Sequence, residues 1–283
     1  MAQAAAPAAA PRRRRRAARR DGVTAPATGG GRTVRANGVD SYYEAHGAGA
    51  PLLLLHGGLE TIESFAALVP ALAERCRVLL PERRGHGRTP DGDGPLSYEL
   101  MAADTIAFAE ALGIASAHLA GYSDGANVAM LIAIARPQLV RRLVLISGNF
   151  DASGMTDAFQ AQLADATAER YAPALAAAYA RLSPDGAGHF AVMFEKLRRL
   201  WLEQPHIAPV ELARITAPTL VLCGDRDLVR LEHTLELFRA IPGARLAVVP
   251  GSSHGVIEDQ PALVTRLLLN FLDAGPVAPA RAG

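Results

Sequence analysis

The sequence predicts an α/β fold: a mostly parallel, eight-stranded sheet flanked by helices, with a helical segment inserted late in the chain. Three observations predict it. Short apolar runs, residues 52–55 foremost, read as strands buried on both faces. Helical patterns separate these runs at the spacing of right-handed βαβ units. Residues 149–213 then interrupt the alternation with a long, alanine-rich, helical stretch that carries no strand pattern.

Taken in order, residues 33–36 and 39–44 flank Asn37-Gly38, the dipeptide suited to a two-residue type I′ turn, so the chain opens with an antiparallel hairpin. The strand over 52–55 ends in His56-Gly57-Gly58-Leu59. A helix follows over 64–74, then a strand over 77–80 that ends in a polar, glycine-rich loop, 81–89. Ser97 has the character of an N-cap and opens a helix that runs to Gly113. The strand over 118–121 leads directly into Ser123, an apolar helix over 126–135 stops at Pro137, and a strand follows over 143–146. Beyond the insertion, the strand over 219–223 ends in Gly224-Asp225-Arg226-Asp227. A helix over 232–240, a last strand over 246–249, the loop Gly251-Ser252-Ser253-His254-Gly255 and a helix over 261–272 complete the pattern. The core is therefore expected over 32–148 and 214–275, with 149–213 as a helical cap.

Composition narrows the class. Half of the 283 residues are hydrophobic, enough to bury a full core in one large domain with an insertion. No apolar run approaches the roughly 20 residues needed to cross a bilayer, so the expectation is a soluble, cytoplasmic protein without a membrane partner. Seven arginines against one aspartate give residues 1–31 a charge of +6, so the remainder carries about −5 of the overall +1. That segment reads as a disordered Arg/Ala-rich tail, and 276–283 as a flexible C-terminus. A secretory signal would need an apolar segment after the arginines, and residues 21–31 are polar and glycine-rich. A basic tail without aromatic residues or a folded basic face argues against nucleic-acid binding. Cys76 and Cys223 fall in predicted central strands, where small apolar residues belong, and form no disulfide framework or zinc spacing. His46, His118, His189, His206 and His233 have no metal-ligand spacing either, so neither metal nor cofactor is expected.

The residues that carry chemistry fall at one edge. In an open parallel sheet, sites form beyond the carboxyl ends of the strands, and residues 56–59, Ser123, Asp227 and His254 each follow a strand directly. Gly121-Tyr122-Ser123-Asp124-Gly125 reads as a nucleophile elbow, a sharp strand-to-helix turn that exposes the serine hydroxyl. Gly121 and Gly125 lack the side chains that would collide across it. Serine is a weak nucleophile at its own pKa and needs a base, while the base needs an acid to fix its tautomer. Ser123, Asp227 and His254 supply nucleophile, acid and base in chain order. A tetrahedral intermediate needs backbone N–H donors, which Asp124 can give from the elbow helix and Gly58 or Leu59 from the glycine loop. Asn149, Phe190, Phe194 and Trp201, on the inserted segment, are candidate contacts to a small-molecule substrate. His56 is expected to orient the glycine loop, and His86 to be a structural hydrogen-bonding residue.

These motifs together resemble the α/β-hydrolase fold enzymes from about Thr33 to Leu272. They are His-Gly-Gly at 56–58, Arg-Gly-His-Gly-Arg-Thr at 84–89, the elbow, Gly224 with Asp227, and Ser-His-Gly at 253–255. On the resemblance Asp227 is the acid, three residues after Gly224, and Asp225 is second choice. Glu82 and Thr89 depart from the family pattern, which more often has Asp and Ser there. Within the family, the Ser-Asp-Gly elbow and aromatic-bearing cap resemble biphenyl-hydrolase-like serine esterases of the valacyclovir-hydrolase kind. That resemblance implies a substrate-selecting role for Asp124, as the partner of a substrate amino group. The alternative for Asp124 is a carboxylate that only favours the helix N-terminus.

The resemblance implies a serine hydrolase acting on a small carboxylic ester or related acyl bond. A carbon–carbon bond hydrolase, a perhydrolase or an acyltransferase can use the same triad, and a non-catalytic ligand-binding protein can keep the same fold. Sequence alone carries no signal of oligomeric state.

Overall fold

Eight strands form one sheet in the computed structural model of the protein, which describes residues 30–171 and 173–273. They are β1 (Arg32–Ala36), β2 (Val39–His46), β3 (Ala50–Leu55), β4 (Cys76–Pro81), β5 (Ala117–Tyr122), β6 (Val140–Ile146), β7 (Thr219–Arg226) and β8 (Arg245–Ser253), in the spatial order β1-β2-β4-β3-β5-β6-β7-β8. The β1–β2 and β2–β4 pairs are antiparallel and every other pair is parallel. Asn37 and Gly38 both have positive φ, 44° and 79°, as the type I′ hairpin turn requires.

Alternation along the strands sorts their side chains into two cores, one on each face. Leu53, Leu55, Leu119, Leu143 and Leu145 face one core, while Leu52, Leu54, Ala120, Tyr122, Val144 and Ile146 face the other. Helices α1 (Val69–Ala73), α2 (Tyr98–Ala111) and α3 (Asp124–Ala135) connect the first strands. The stretch between β6 and β7 holds α4 (Asp157–Ala164), α5 (Ala168–Tyr171), α6 (Pro173–Leu182), α7 (Phe190–Glu203) and α8 (Pro209–Leu212). Then come α9 (Leu231–Ala240), α10 (Val256–Asp259) and α11 (Pro261–Leu272). On α7 the buried residues Phe190, Met193, Phe194, Leu197 and Leu200 recur at helical spacing, so one stripe of the helix packs inward.

Three details differ from the sequence pattern. The helix expected over 64–74 is divided into a 3₁₀ turn, Ile62–Phe65, and the short α1, because Pro70 lacks an N–H and its ring would strike the preceding turn of a continuous helix. Strand β8 runs well past its apolar run of 246–249, since backbone pairing with β7 continues beyond a register shift at Gly224 and Arg226. The inserted stretch carries two isolated antiparallel bridges besides its helices, Asp151 with His206 and Met155 with Val229. Cys76 and Cys223 are free, buried thiols. The Arg/Ala-rich tail and the C-terminal segment lie outside the described residues, apart from Gly30 and Gly31. Among the described residues, no helix is long and apolar enough to cross a membrane.

Candidate active site

Strand β5 delivers Ser123 to the carboxyl edge of the sheet, and two glycines make the turn after it possible. A Cβ on Gly121 would collide with the carbonyl of Gly125, and one on Gly125 with the carbonyls of Leu55 and His56. The end of β3, the end of β5 and the first turn of α3 therefore cross at distances only glycine allows. Ser123 itself has φ 52° and ψ −121°, a conformation that costs a non-glycine residue about 1–3 kcal/mol and is retained where neighbours over-determine it. Here its amide donates to the Ile146 carbonyl at 2.8 Å.

His254 reaches Ser123 from the end of β8. Its Nε2 lies 2.9 Å from Ser123 Oγ, and its Nδ1 lies 2.6 Å from Asp227 Oδ1. The same carboxylate oxygen accepts from the Val229 amide at 3.1 Å. An ionised carboxylate only accepts, so the proton belongs on Nδ1 and Nε2 is free to accept the one on Ser123. The Asp227 side chain is only 2% exposed. Burial works to raise its carboxyl, but the hydrogen bond and charge of His254, with Ser147 and the Val229 amide, outweigh burial and hold it below the usual carboxylate range. Conversely, burial works to lower the His254 imidazole, and Asp227, with Glu60 and Asp124, overcomes it and raises the ring above its ordinary value. Asp225 is exposed, and its carboxylate accepts from the Ser252 amide at 3.1 Å, so of the two carboxylates it is that of Asp227 that meets His254.

Asp124 is the first residue of α3, and its N–H is among the four that no helix can satisfy internally. Its buried carboxyl accepts from Tyr98 Oη at 2.8 Å and from Trp201 Nε1, 2.9 and 3.0 Å from its two oxygens. One side chain thus joins α2, α3 and α7. Burial raises this carboxyl above the usual range, against the opposing pull of Arg83, Trp201 and Tyr98. In the glycine loop, Gly58 packs so closely against the Asp124 carboxyl and the Trp201 indole that a Cβ would collide with both. Leu59 follows with φ 57°.

These groups open on a cavity of about 150 Å³ lined by Gly58, Leu59, Glu60, Ser123, Asp124, Met155, Phe159, Tyr171, Leu175, Trp201, Leu228 and His254. Larger surface clefts, among them those against α1, against the outer face of α7 and beside Asp151 and His206, contain none of them. Convergent polar groups, not size, distinguish the small one.

Of the substrate contacts expected on the inserted segment, only Trp201 lines the cavity. Phe190 and Phe194 are buried in packing, the first 5.6 Å from the Tyr179 ring and the second 5.2 Å from the Tyr171 ring. Asn149 is a buried clasp: its Oδ1 accepts from Asn127 Nδ2 at 2.9 Å and its Nδ2 donates to the Asp151 carbonyl at 2.9 Å. Glu60, Met155, Phe159, Tyr171, Leu175 and Leu228 line the cavity instead. Phe159 and Tyr171 stand out in the sequence as aromatics of the insertion; the rest have no local signal, since the fold-back of the helices brings them in. His86 Nδ1 donates to the Arg84 carbonyl, 2.9 Å away, and its ring lies 5.1 Å from that of His56. Burial, with Arg83, lowers the His86 ring to about 3, so it stays neutral. Glu82 replaces the usual aspartate by accepting from the Arg88 amide at 2.5 Å, while Thr89 Oγ1 donates to the Glu82 carbonyl at 2.8 Å. Among the described residues, no group of three or more His, Cys, Asp or Glu is arranged to hold a metal ion.

A mostly parallel sheet with a strained serine after its central strand is the architecture of an α/β-hydrolase, and the matches to known proteins place this chain among enzymes of the hydrolase class. The chain belongs to the alpha/beta hydrolase family, whose model matches residues 52–267. It is 31% identical over 251 residues to a protein named carbamate hydrolase RutD from Azorhizobium caulinodans, covering 82% of this chain and 95% of that one. It is 27% identical over 271 residues to a 2-hydroxymuconate semialdehyde hydrolase of a Pseudomonas species, covering 86% and 93%. A meta-cleavage product hydrolase from Pseudomonas fluorescens IP01 superposes with a TM-score of 0.74 over 86% of this chain and 97% of that one, at 24% identity.

Proposed function

We propose that the protein is a serine hydrolase that cleaves a small carboxylic ester or a closely related acyl bond through an acyl-enzyme. The observation that carries this reading is the continuous hydrogen-bonded line from Ser123 Oγ through both nitrogens of His254 to Asp227. Ser123 Oγ attacks the acyl carbon while its proton passes to His254 Nε2, and Asp227 stabilises the imidazolium. The oxyanion of the tetrahedral intermediate is held by the N–H of Asp124 and by that of Gly58 or Leu59. Collapse expels the alcohol, which leaves with the proton from His254. A water molecule, deprotonated by the same nitrogen, attacks the acyl-enzyme, and the acid is released with Ser123 restored.

The cavity supports a small, uncharged acyl group. At about 150 Å³ it is well below the usual size of a drug-sized ligand site. Glu60 and Asp124 line it, while no lysine or arginine among the described residues does. Across a series of p-nitrophenyl esters, kcat/KM is expected to peak at acetate to butyrate and to fall about tenfold or more by octanoate, because each buried methylene gained elsewhere must here be forced into filled space. A profile rising steadily with chain length, or no turnover of any ester, would overturn this reading.

The Asp124 carboxyl, which already accepts from two protein donors, Tyr98 Oη and Trp201 Nε1, acts in this reading as a brace between helices and not as the partner of a substrate amine. An aminoacyl ester and its des-amino analogue are therefore expected to have kcat/KM values within about threefold of each other, far less than the discrimination a site built to bond an amine achieves. A preference of a hundredfold for the aminoacyl ester would mean that the substrate ammonium displaces Trp201.

A further inference from the structure

The glycine loop is held from below by an arginine that the line of catalytic groups does not include. Arg83 is buried, 3% exposed, just after β4. Its Nη1 donates to the His56 carbonyl and its Nη2 to the Gly57 carbonyl, the latter at 3.0 Å. Its own amide donates to His56 Nε2 at 3.1 Å. That bond places the imidazole proton on Nδ1, which lies 2.8 Å from the same Gly57 carbonyl. The Gly57 amide, in turn, donates to Glu60 Oε2 at 3.2 Å. Every polar group of Gly57 is thus bound, and its carbonyl is bound twice.

We infer that Arg83 is a positioning residue, whose fork on the carbonyls of His56 and Gly57 sets the direction of the Gly58 N–H and so the geometry of the oxyanion site. The Gly57–Gly58 peptide is trans, and in a trans peptide the carbonyl and the following N–H point to opposite sides. With the carbonyl drawn down to Arg83 and His56, the Gly58 N–H is held on the other side, away from the guanidinium. Gly58 is the residue that packs against Asp124 and Trp201 and lines the cavity. A planar fork suits two successive carbonyls, whereas a lysine offers a point charge on a flexible stem and can bind them only one at a time. Burial lowers the guanidinium to about 10, against the opposing charges of Asp124, Tyr98 and Glu60, so it stays charged at neutral pH. His56 stays neutral, since burial and then the nearby Arg83 hold its ring well below the ordinary range. The clamp is therefore in one protonation state throughout the pH range in which His254 works.

The inference rests on the serine hydrolase reading, and the test separates the two. Wild type, Ser123→Ala, Arg83→Lys and Arg83→Met are compared on p-nitrophenyl acetate, with trifluoroacetone as a probe whose serine adduct places an oxyanion in the same site. Loss of turnover in Ser123→Ala checks that reading, and the comparison of wild type with the Arg83 variants checks this one. In Arg83→Lys, which keeps the charge beside Asp124, kcat is expected to fall about 10- to 100-fold, a little less than removal of an oxyanion donor outright. KM should stay within about threefold, because the ester carbonyl of the bound substrate carries little charge. The inhibition constant of trifluoroacetone should rise by the same factor as kcat falls. A folded Arg83→Lys protein with wild-type kcat and wild-type trifluoroacetone binding would overturn the inference. So would failure of both Arg83 variants to fold, which would make the guanidinium a requirement of the core and not of the site.

Discussion

Ser123→Ala is expected to be folded and inert. Removing the nucleophile of a serine triad lowers kcat on the order of 10⁶-fold, about as much as removing the whole triad, because the remaining groups have nothing to activate. The hydroxyl makes one described contact, to His254, so its loss leaves the sheet, the elbow glycines and the backbone bond to Ile146 in place. Alanine also pays no more than serine for the φ of 52°, since both carry a Cβ. Fold and function thus separate cleanly in this variant. A fluorophosphonate probe, which reacts only with an activated serine, should label the wild type stoichiometrically and leave Ser123→Ala unlabelled, while thermal unfolding of the two proteins coincides within a few degrees. Equal labelling of both would place the reactive hydroxyl elsewhere. A folded wild type that takes no label would favour a ligand-binding protein on the hydrolase fold.

The parts of this site that sequence makes legible are those whose geometry is imposed locally. Asn37-Gly38 announces its turn because few dipeptides tolerate two positive φ values in succession. The elbow is readable because Gly-x-Ser-x-Gly is a local pattern and its first glycine is dictated by a backbone collision with Gly125 within the same turn, and Asp227 and His254 because each follows a strand end at the same edge of a parallel sheet. What sequence leaves open depends on contacts between distant segments. The apolar stripe of α7 predicts that Phe190, Phe194 and Trp201 are inward, but burial in packing and exposure to a cavity look alike in a helical pattern, and only the seating of α7 over Asp124 distinguishes Trp201 from the other two. Asp124 meets Tyr98 and Trp201 from 26 and 77 positions away. Arg83 sits in a stretch that reads as a polar loop, yet it is buried because the end of β3, 27 residues earlier, supplies carbonyls that satisfy its fork. Polarity predicts exposure only where no such partner is folded back onto the chain.

Asp227→Asn should separate the two services the acid gives to His254, orientation and charge. In the wild type the carboxylate accepts the Nδ1 proton at 2.6 Å, which fixes the tautomer, and its charge helps to raise the imidazole above 6.5. The base works only when neutral, so kcat/KM of the wild type should fall as pH drops through a midpoint above 6.5 and should be flat above it. An asparagine carries no charge, and the burial that works against the imidazolium is then unopposed by its closest partner. The acid limb should therefore move to lower pH, below the ordinary imidazole value, even as the plateau itself drops about 10⁴-fold through loss of the tautomer and of imidazolium stabilisation. The two effects have opposite signs on a plot of activity against pH, which makes the experiment discriminating: the variant is far slower everywhere, yet it retains a larger fraction of its own maximum at pH 5.5 to 6. Asp225→Asn, made in parallel, alters a carboxylate that bonds the Ser252 amide and leaves Nδ1 of His254 undisturbed. Its pH profile should overlay that of the wild type, with kcat within about twofold, as for an exposed substitution away from the chemistry. An unshifted acid limb in Asp227→Asn, or a shifted one in Asp225→Asn, would assign the acid to a different carboxylate.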